Sequence, residues 1–303
     1  MAASLVVVED QRITRVRDLS VEEHDELKKA SSRLMQHFND QHPLAIVALN
    51  YEDLQNQLQR LAREYEADPS MSWIRMEMMG LTINRHILNF LSAARMFLDH
   101  SEYNLKRRHG QASNRLERFK NACSSAYDTQ FSYRFMYELR NYSQHCDMPL
   151  GNLQLQSQKR EEDSQTVEHS LRISFDRDKL LQEYDWKAEL RAEIQNLPKE
   201  FEINSHIHQM MNCLVKINLT LLEDDLKELD ESVEVIDNLT KSIKGIGGRP
   251  FVAEGAPTEG DKKMKMSLEW IPLELADLVR NLRSVQLLRD TTALLNQFKS
   301  RKI

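Results

Sequence analysis

The sequence predicts a mainly α-helical fold carrying one small inserted β-hairpin. Three observations support that reading. Glycine and proline are scarce, at 8 and 7 in 303 residues, which suits long helices joined by few turns. Apolar residues recur at three- and four-residue spacing over most of the chain. Strict apolar–polar alternation is confined to short runs at 153–155 and 171–175.

The N-terminal stretch MAASLVVVEDQRITRVRD holds only a four-residue apolar run, 5–8, which is too short for a secretory signal. No run of about 18 apolar residues marks a membrane span. Ser20 with Glu23 reads as a capping box opening a helix toward Asn39, which His42-Pro43 interrupts. A second helix follows, with Val47, Tyr51, Leu54, Leu58, Leu61 and Tyr65 on one seam, until Asp68-Pro69. A third begins near Met71 and directs Trp73, Met76, Ile83, Ile87, Phe90 and Phe97 toward a core. Its opening MSWIRMEMMG reads as loosely filled core, and it fades at a basic turn bearing Gly110.

A fourth helix starts near Ser113 and breaks near Asp128-Thr129, an N-cap for the next. That next helix runs from about Gln130 to Cys146. Asp147-Met148-Pro149 stops it, because the residue before a proline disfavours the helical region. The hairpin follows, near 152–175, with the charged SQKREEDSQ at its tip. Asp176 caps a short helix, and Asp185 caps WKAELRAEIQNL. A long helix over about 203–244, the linker GIGGRPFVAEGAPTEGDKK and a last helix over about 272–299 complete the chain. The order implies an N-terminal helical extension (1–69), a helical domain with the hairpin (70–244), and a linker with a C-terminal helix (245–303).

The net charge of −6 does not advertise nucleic-acid binding, but its distribution is uneven. From Arg95 to Lys120 there are seven Lys/Arg against three Asp/Glu, including Lys106, Arg107 and Arg108; from Leu221 to Thr240, eight acids face one lysine. Such a basic stripe serves a polyanion or is simply a solvated helix face. Cys123, Cys146 and Cys213 are odd in number and lack metal-ligand spacing, which points to reduced thiols in a cytoplasmic protein.

One helix end stands apart. In YELRNYSQHCDMPL, Arg140 is followed five residues later by His145, just before the proline stop. An arginine keeps its charge at any pH, and a histidine exchanges a proton near neutrality, so together they could act on a phosphate without a metal. The spacing alone carries no weight. An arginine followed five to seven residues later by a histidine occurs three times, Arg17/His24, Arg95/His100 and Arg140/His145, against about two expected by chance. Context separates the third: Arg17 precedes the Ser20 cap, and no stop follows His100.

At ~100° per residue, Phe135, Leu139, Tyr142 and Cys146 form one apolar stripe, with Arg140 and His145 on opposite flanks ~140° apart. Either the helix end and the long arginine bend inward, or a second copy of the helix completes the site. Helix C-terminal carbonyls favour a cation such as protonated His145. Basic residues in a last turn are also ordinary caps.

The stretch AYDTQFSYRFMYELRNYSQHCDMPL (126–150) resembles the signature helix of HEPN-domain proteins, a superfamily of small helical bundles that includes many metal-independent ribonucleases. The family pattern is an arginine, a polar residue, three to five further residues and a histidine near a helix end; Arg140, Asn141 and His145 match it. The resemblance implies two facing copies of the motif in a homodimer. It also implies attack of a ribose 2′-hydroxyl on the adjacent phosphate, leaving a 2′,3′-cyclic phosphate and a 5′-hydroxyl. His145 would move the proton, Arg140 would stabilise charge on the phosphate, and Asn141 would orient the ring or the phosphate. Glu138 and Gln144 would be supporting residues, and Lys106, Arg107 and Arg108 would bind RNA. Tyr142 reads as packing rather than as a base-stacking platform.

Other chemistries find no footing in the sequence. GIGG lacks the lysine and context of a phosphate loop. His206 and His208 would face apart on a helix, and His37 and His42 straddle a predicted helix end with no third ligand, so no metal or cofactor is expected. Cys146 reads as core. The resulting expectation is a cytoplasmic endoribonuclease in a toxin or anti-phage defence role, partnered by RNA, a second copy and an antitoxin or defence protein, with no membrane. The rival is a non-catalytic HEPN-like scaffold or regulatory subunit.

Overall fold

Ser20 and Glu23 close the reciprocal cap that the sequence predicts. Ser20 N donates to Glu23 Oε2 at 2.9 Å, and Glu23 N donates to Ser20 Oγ at 3.1 Å, satisfying two helix-start amides at once. In the computed structural model, which describes residues 3–10, 12–68, 70, 72–159, 167–243, 245–255 and 267–284, helix α1 (Val21–Ala67) runs from this cap straight through Pro43. The expected interruption at His42-Pro43 is therefore corrected. An interior proline costs about 3 kcal/mol, and burial of Leu44, Val47 and Ala48 just beyond it offsets that.

The fold is mainly helical with small antiparallel sheets. The chain divides into one compact unit of residues 1–41 and 222–288 and another built on residues 42–221. These borders fall inside α1 and inside α7 (Asn204–Thr240), not at the expected 69/70 and 244/245. Among the described residues, no helix is long and apolar enough to cross a membrane.

In the first unit, the stretch expected to be helical begins with two strands, β1 (Ala3–Glu9) and β2 (Arg12–Leu19). With β6 (Arg249–Glu254) and β7 (Ser267–Trp270) they form an antiparallel sheet in the order β2-β1-β6-β7. The apolar run 5–8 is thus part of a central strand: Leu5, Val6 and Val7 are all buried, as a strand covered on both faces requires. Part of the expected linker supplies its neighbour. Gly248 permits the entry to β6, with φ of +98° and no room for a Cβ, which would lie 2.6 Å from the Val8 carbonyl oxygen. Helix α8 (Leu273–Ser284) follows; the rest of the expected last helix, and residues 256–266 of the linker region, lie outside the described residues.

The second unit stacks the rest of α1, α2 (Trp73–His109), α3 (Asn114–Thr129), α4 (Phe131–His145) and the start of α7 around one core. Of the seam, Val47, Leu54, Leu58 and Leu61 are buried as expected, while Tyr51 and Tyr65 are half-buried; Ile83, Ile87, Phe90 and Phe97 are buried as expected. Trp73 and Met76 are not: they are 75% and 49% exposed, because burial along α2 begins only at Met79. In the methionine-rich opening, Met76 and Met78 are therefore surface, and Met79 is core. Gln130, rather than Asp128 or Thr129, caps α4, without a side-chain hydrogen bond.

The hairpin is present as β3 (Asn152–Lys159) and β4 (Val167–Asp176), with Leu153 opposite Ile173 and Leu155 opposite Leu171; its tip, 160–166, lies outside the described residues. A third strand, β5 (Glu200–Glu202), extends it. Asp176 caps α5 (Arg177–Glu183) through the amides of Asp178 and Lys179. Asp185 caps nothing: the buried Trp186 donates from its indole to the Leu180 carbonyl at 2.7 Å, and α6 (Ala188–Gln195) starts only after that anchor.

Candidate active site

Helix α4 sets the geometry of the candidate motif. Phe135, Leu139 and Tyr142 are buried, so the stripe read from the sequence is the packed face. Tyr142 stacks on Trp186 at 5.8 Å and donates to Glu183 Oε2 at 2.6 Å, which makes it a packing residue. Burial, then the Glu183 carboxylate, push its phenol well above the usual tyrosine range. Cys146 is exposed rather than core, because the backbone leaves the helix there at φ −125° and ψ −69°.

Arg140 is half-buried. Its Nε is buried without a hydrogen-bond partner, and the guanidinium forms no ion pair among the described residues. It lines a cleft between α2, α4 and α7 with a cavity volume of about 10 Å³, the lower limit for one water molecule. Leu91, Leu98, Met136 and Met210 supply apolar walls, and Arg95, Tyr137 and Asn141 share the polar side. Arg95 donates from Nε to Asp99 at 2.9 Å, bonds the Tyr137 hydroxyl, and lies over that ring with its Cζ 5.2 Å from the centroid. A guanidinium without a carboxylate, beside a second guanidinium, favours an anion.

Asn141 is held in place rather than free. Its Nδ2 donates to Glu138 Oε2 at 3.0 Å, while Glu138 Oε1 accepts from Lys187 Nζ at 2.7 Å and from the Tyr127 hydroxyl at 3.2 Å. Lys187 Nζ also reaches Tyr127 at 2.9 Å. Burial pushes the Glu138 carboxyl up, but hydrogen bonds from Lys187, Asn141 and Tyr127 outweigh it and hold the group ionised below its usual range. Those bonds raise Lys187 in turn.

His145 and Gln144 are exposed, and among the described residues neither makes a hydrogen bond or ion pair. Because α4 continues as far as His145, five residues still separate it from Arg140 by ~140° of helix rotation. The structure therefore brings Arg140, Asn141 and Glu138 together and leaves His145 apart from them.

The basic residues lie elsewhere. Helices α2 and α4 run antiparallel, Arg95 meeting Tyr137 while Asn84 Oδ1 accepts from Leu150 N at 2.8 Å. Lys106, Arg107 and Arg108 close the far end of α2, about 16 Å beyond Arg95, beside the start of α4 rather than its motif end. Lys106 pairs with Glu102 at 2.8 Å, and Arg108 also has a partner, leaving Arg107 exposed. Arg95 and Lys187, which sequence reasoning missed, stand closer to the motif. Only tertiary packing brings them there: the sequence marked Arg95 only as the start of the basic stripe and as the partner of His100, and no local pattern marked Lys187.

His206 and His208 do face apart: one contacts Ser132 at 2.8 Å, the other Tyr51 at 2.9 Å. His37 and His42 share the uninterrupted α1, so the expected helix end between them is absent. Cys123 is half-buried, and burial pushes its thiol up to about 12. Comparison of the chain with protein-family models, with curated proteins and with solved structures finds no match.

Proposed function

We propose that the chain is a metal-independent endoribonuclease of the HEPN type, with Arg140 and His145 as its catalytic residues. One observation carries the reading: Arg140 presents a half-buried guanidinium, with a desolvated and unpartnered Nε, in a cleft whose other polar groups include a second arginine. A structural arginine this buried ordinarily holds a carboxylate, as Arg134 holds Glu193. A phosphodiester oxygen supplies what Arg140 lacks.

In the reaction, the ribose 2′-oxygen forms a bond to phosphorus as its proton passes to the His145 imidazole. Arg140 stabilises the charge that develops on the phosphoryl oxygens. The bond from phosphorus to the 5′-oxygen then breaks, and that oxygen takes a proton from an imidazolium. Asn141, fixed by Glu138, orients the phosphate. Since ~140° of helix separates the two catalytic groups, a second copy of the chain supplies the imidazole opposite each guanidinium.

The test is cleavage of total RNA by purified protein in EDTA, beside Arg140→Ala and His145→Ala forms. Loss of cleavage in both variants, with 2′,3′-cyclic phosphate and 5′-hydroxyl ends from the parent, is expected; equal cleavage by all three forms overturns the proposal. The exposed and unpartnered His145 favours a second reading, a non-catalytic helical scaffold, which absence of cleavage on any RNA would support.

A further inference from the structure

We propose that His24, Glu254 and Glu269 form a binding site for a divalent transition-metal ion of the zinc class in the unit of residues 1–41 and 222–288. The Ser20 cap places His24 one turn into α1. In the sheet, Glu269 stands opposite Val252, two residues from Glu254, so both glutamates lie on one face as diagonal neighbours. His24 Nε2 comes 3.4 Å from Glu254 Oε1 and 3.8 Å from Glu269 Oε2, and the three donor atoms lie within 4.8 Å of one another.

A point equidistant from atoms so spaced lies at most about 2.4 Å from each, against about 2.0–2.2 Å for zinc bonds to imidazole and carboxylate. A small side-chain rotation closes the gap. His24 Nε2 is itself buried and has no hydrogen-bond partner, although its side chain is only 12% exposed. An imidazole and two carboxylates suit zinc, manganese or iron better than calcium or magnesium. Three protein ligands leave a fourth position for water.

The competitor is Lys28, whose Nζ lies 2.8 Å from the same Glu254 Oε1. Its ammonium balances part of the charge of Glu254, Glu269 and the nearby Asp25, but it cannot ligate a metal while charged. Metal binding therefore displaces Lys28 from Oε1.

The experiment uses full-length protein stripped with EDTA and desalted, titrated with zinc chloride and, separately, with cobalt chloride. The parent is expected to bind one zinc per chain, to melt at a higher temperature with it, and to show the absorption bands of cobalt held by protein ligands. Glu269→Gln, at a half-exposed position that tolerates the change, lowers zinc affinity by about tenfold or more. Lys28→Met raises it several-fold. Zinc binding unchanged in a Glu254→Gln/Glu269→Gln double variant, no zinc retained by the parent, or weaker binding in Lys28→Met would each overturn the site. The ribonuclease reading is unaffected by any of these results, since it is tested in EDTA.

Discussion

Replacing Arg140 with methionine is expected to stabilise the protein and, on the ribonuclease reading, to abolish RNA cleavage. The buried, unpartnered Nε of Arg140 carries a desolvation penalty of about 1–3 kcal/mol. Methionine keeps the unbranched stem against Leu91, Leu98, Met136 and Met210, and a near volume-conserving exchange costs less than about 1.5 kcal/mol. The net gain is about 1 kcal/mol, or about 2–4 °C in melting temperature for a unit of this size. Urea titration followed by tryptophan fluorescence, to which the buried Trp186 contributes, measures it.

Sulfate provides the second arm of the test. An anion held by Arg140 stabilises the parent by about 1.4 kcal/mol at ten times its dissociation constant and leaves the methionine variant unchanged. A variant less stable by 1 kcal/mol or more, on the order of an ordinary destabilising substitution, would show that Arg140 is structural. An equal response of both proteins to sulfate, which surface exclusion of a kosmotropic salt produces without any site, would show that Arg140 does not hold the anion. Either result refutes the reasoning.

Glu138→Gln tests the support beneath Asn141. Because the folded Glu138 carboxyl sits below its usual value, its contribution is present above the unfolded pKa, about 4.3, and is lost as pH falls through the folded one. The stability gap between parent and variant should therefore be largest near neutrality and shrink below about pH 4, as read by denaturant titration across pH; a constant gap contradicts it. Phe135→Ala, in the buried cluster with Phe175, Trp186 and Phe201, should cost about 3–5 kcal/mol. Trp73→Ala, at a largely exposed position, should stay within about 0.5 kcal/mol; equal losses would mean the sequence reading of Trp73 as core was right. Arg95→Ala should weaken RNA binding, measured by fluorescence anisotropy, more than Arg107→Ala, because only Arg95 lines the Arg140 cleft.

What the sequence made legible was local chemistry. The Ser20–Glu23 cap, the Asp176 cap, the 47–61 part of the seam and the alternation of the hairpin strands each depend on residues a few positions apart, where side-chain reach and helix or strand period decide the outcome. The failures share a different cause. Pro43 breaks a helix in isolation, yet buried neighbours on the same helix override it. Trp73 fits a helical stripe, but it lies exposed before burial along α2 begins, and periodicity cannot say where a partner ends. The run 5–8 is too short to reveal its type; a strand about 245 residues later, β6, makes it the centre of a sheet.

The candidate site divides along the same line. The order of Arg140, Asn141 and His145 is visible in the sequence, and so is the fact that one helix turns the two ends of the motif away from each other. The lack of a carboxylate on Arg140 among the described residues was not visible, because it is a property of the faces that α2 and α7 present. That lack gives the motif chemical meaning: a paired Arg140 would be one more internal ion pair, like Arg134 with Glu193. On the proposed ribonuclease reading, Arg140 on one flank of α4 and the exposed His145 on the other are the two halves of a phosphodiester site, which the face of another copy would join.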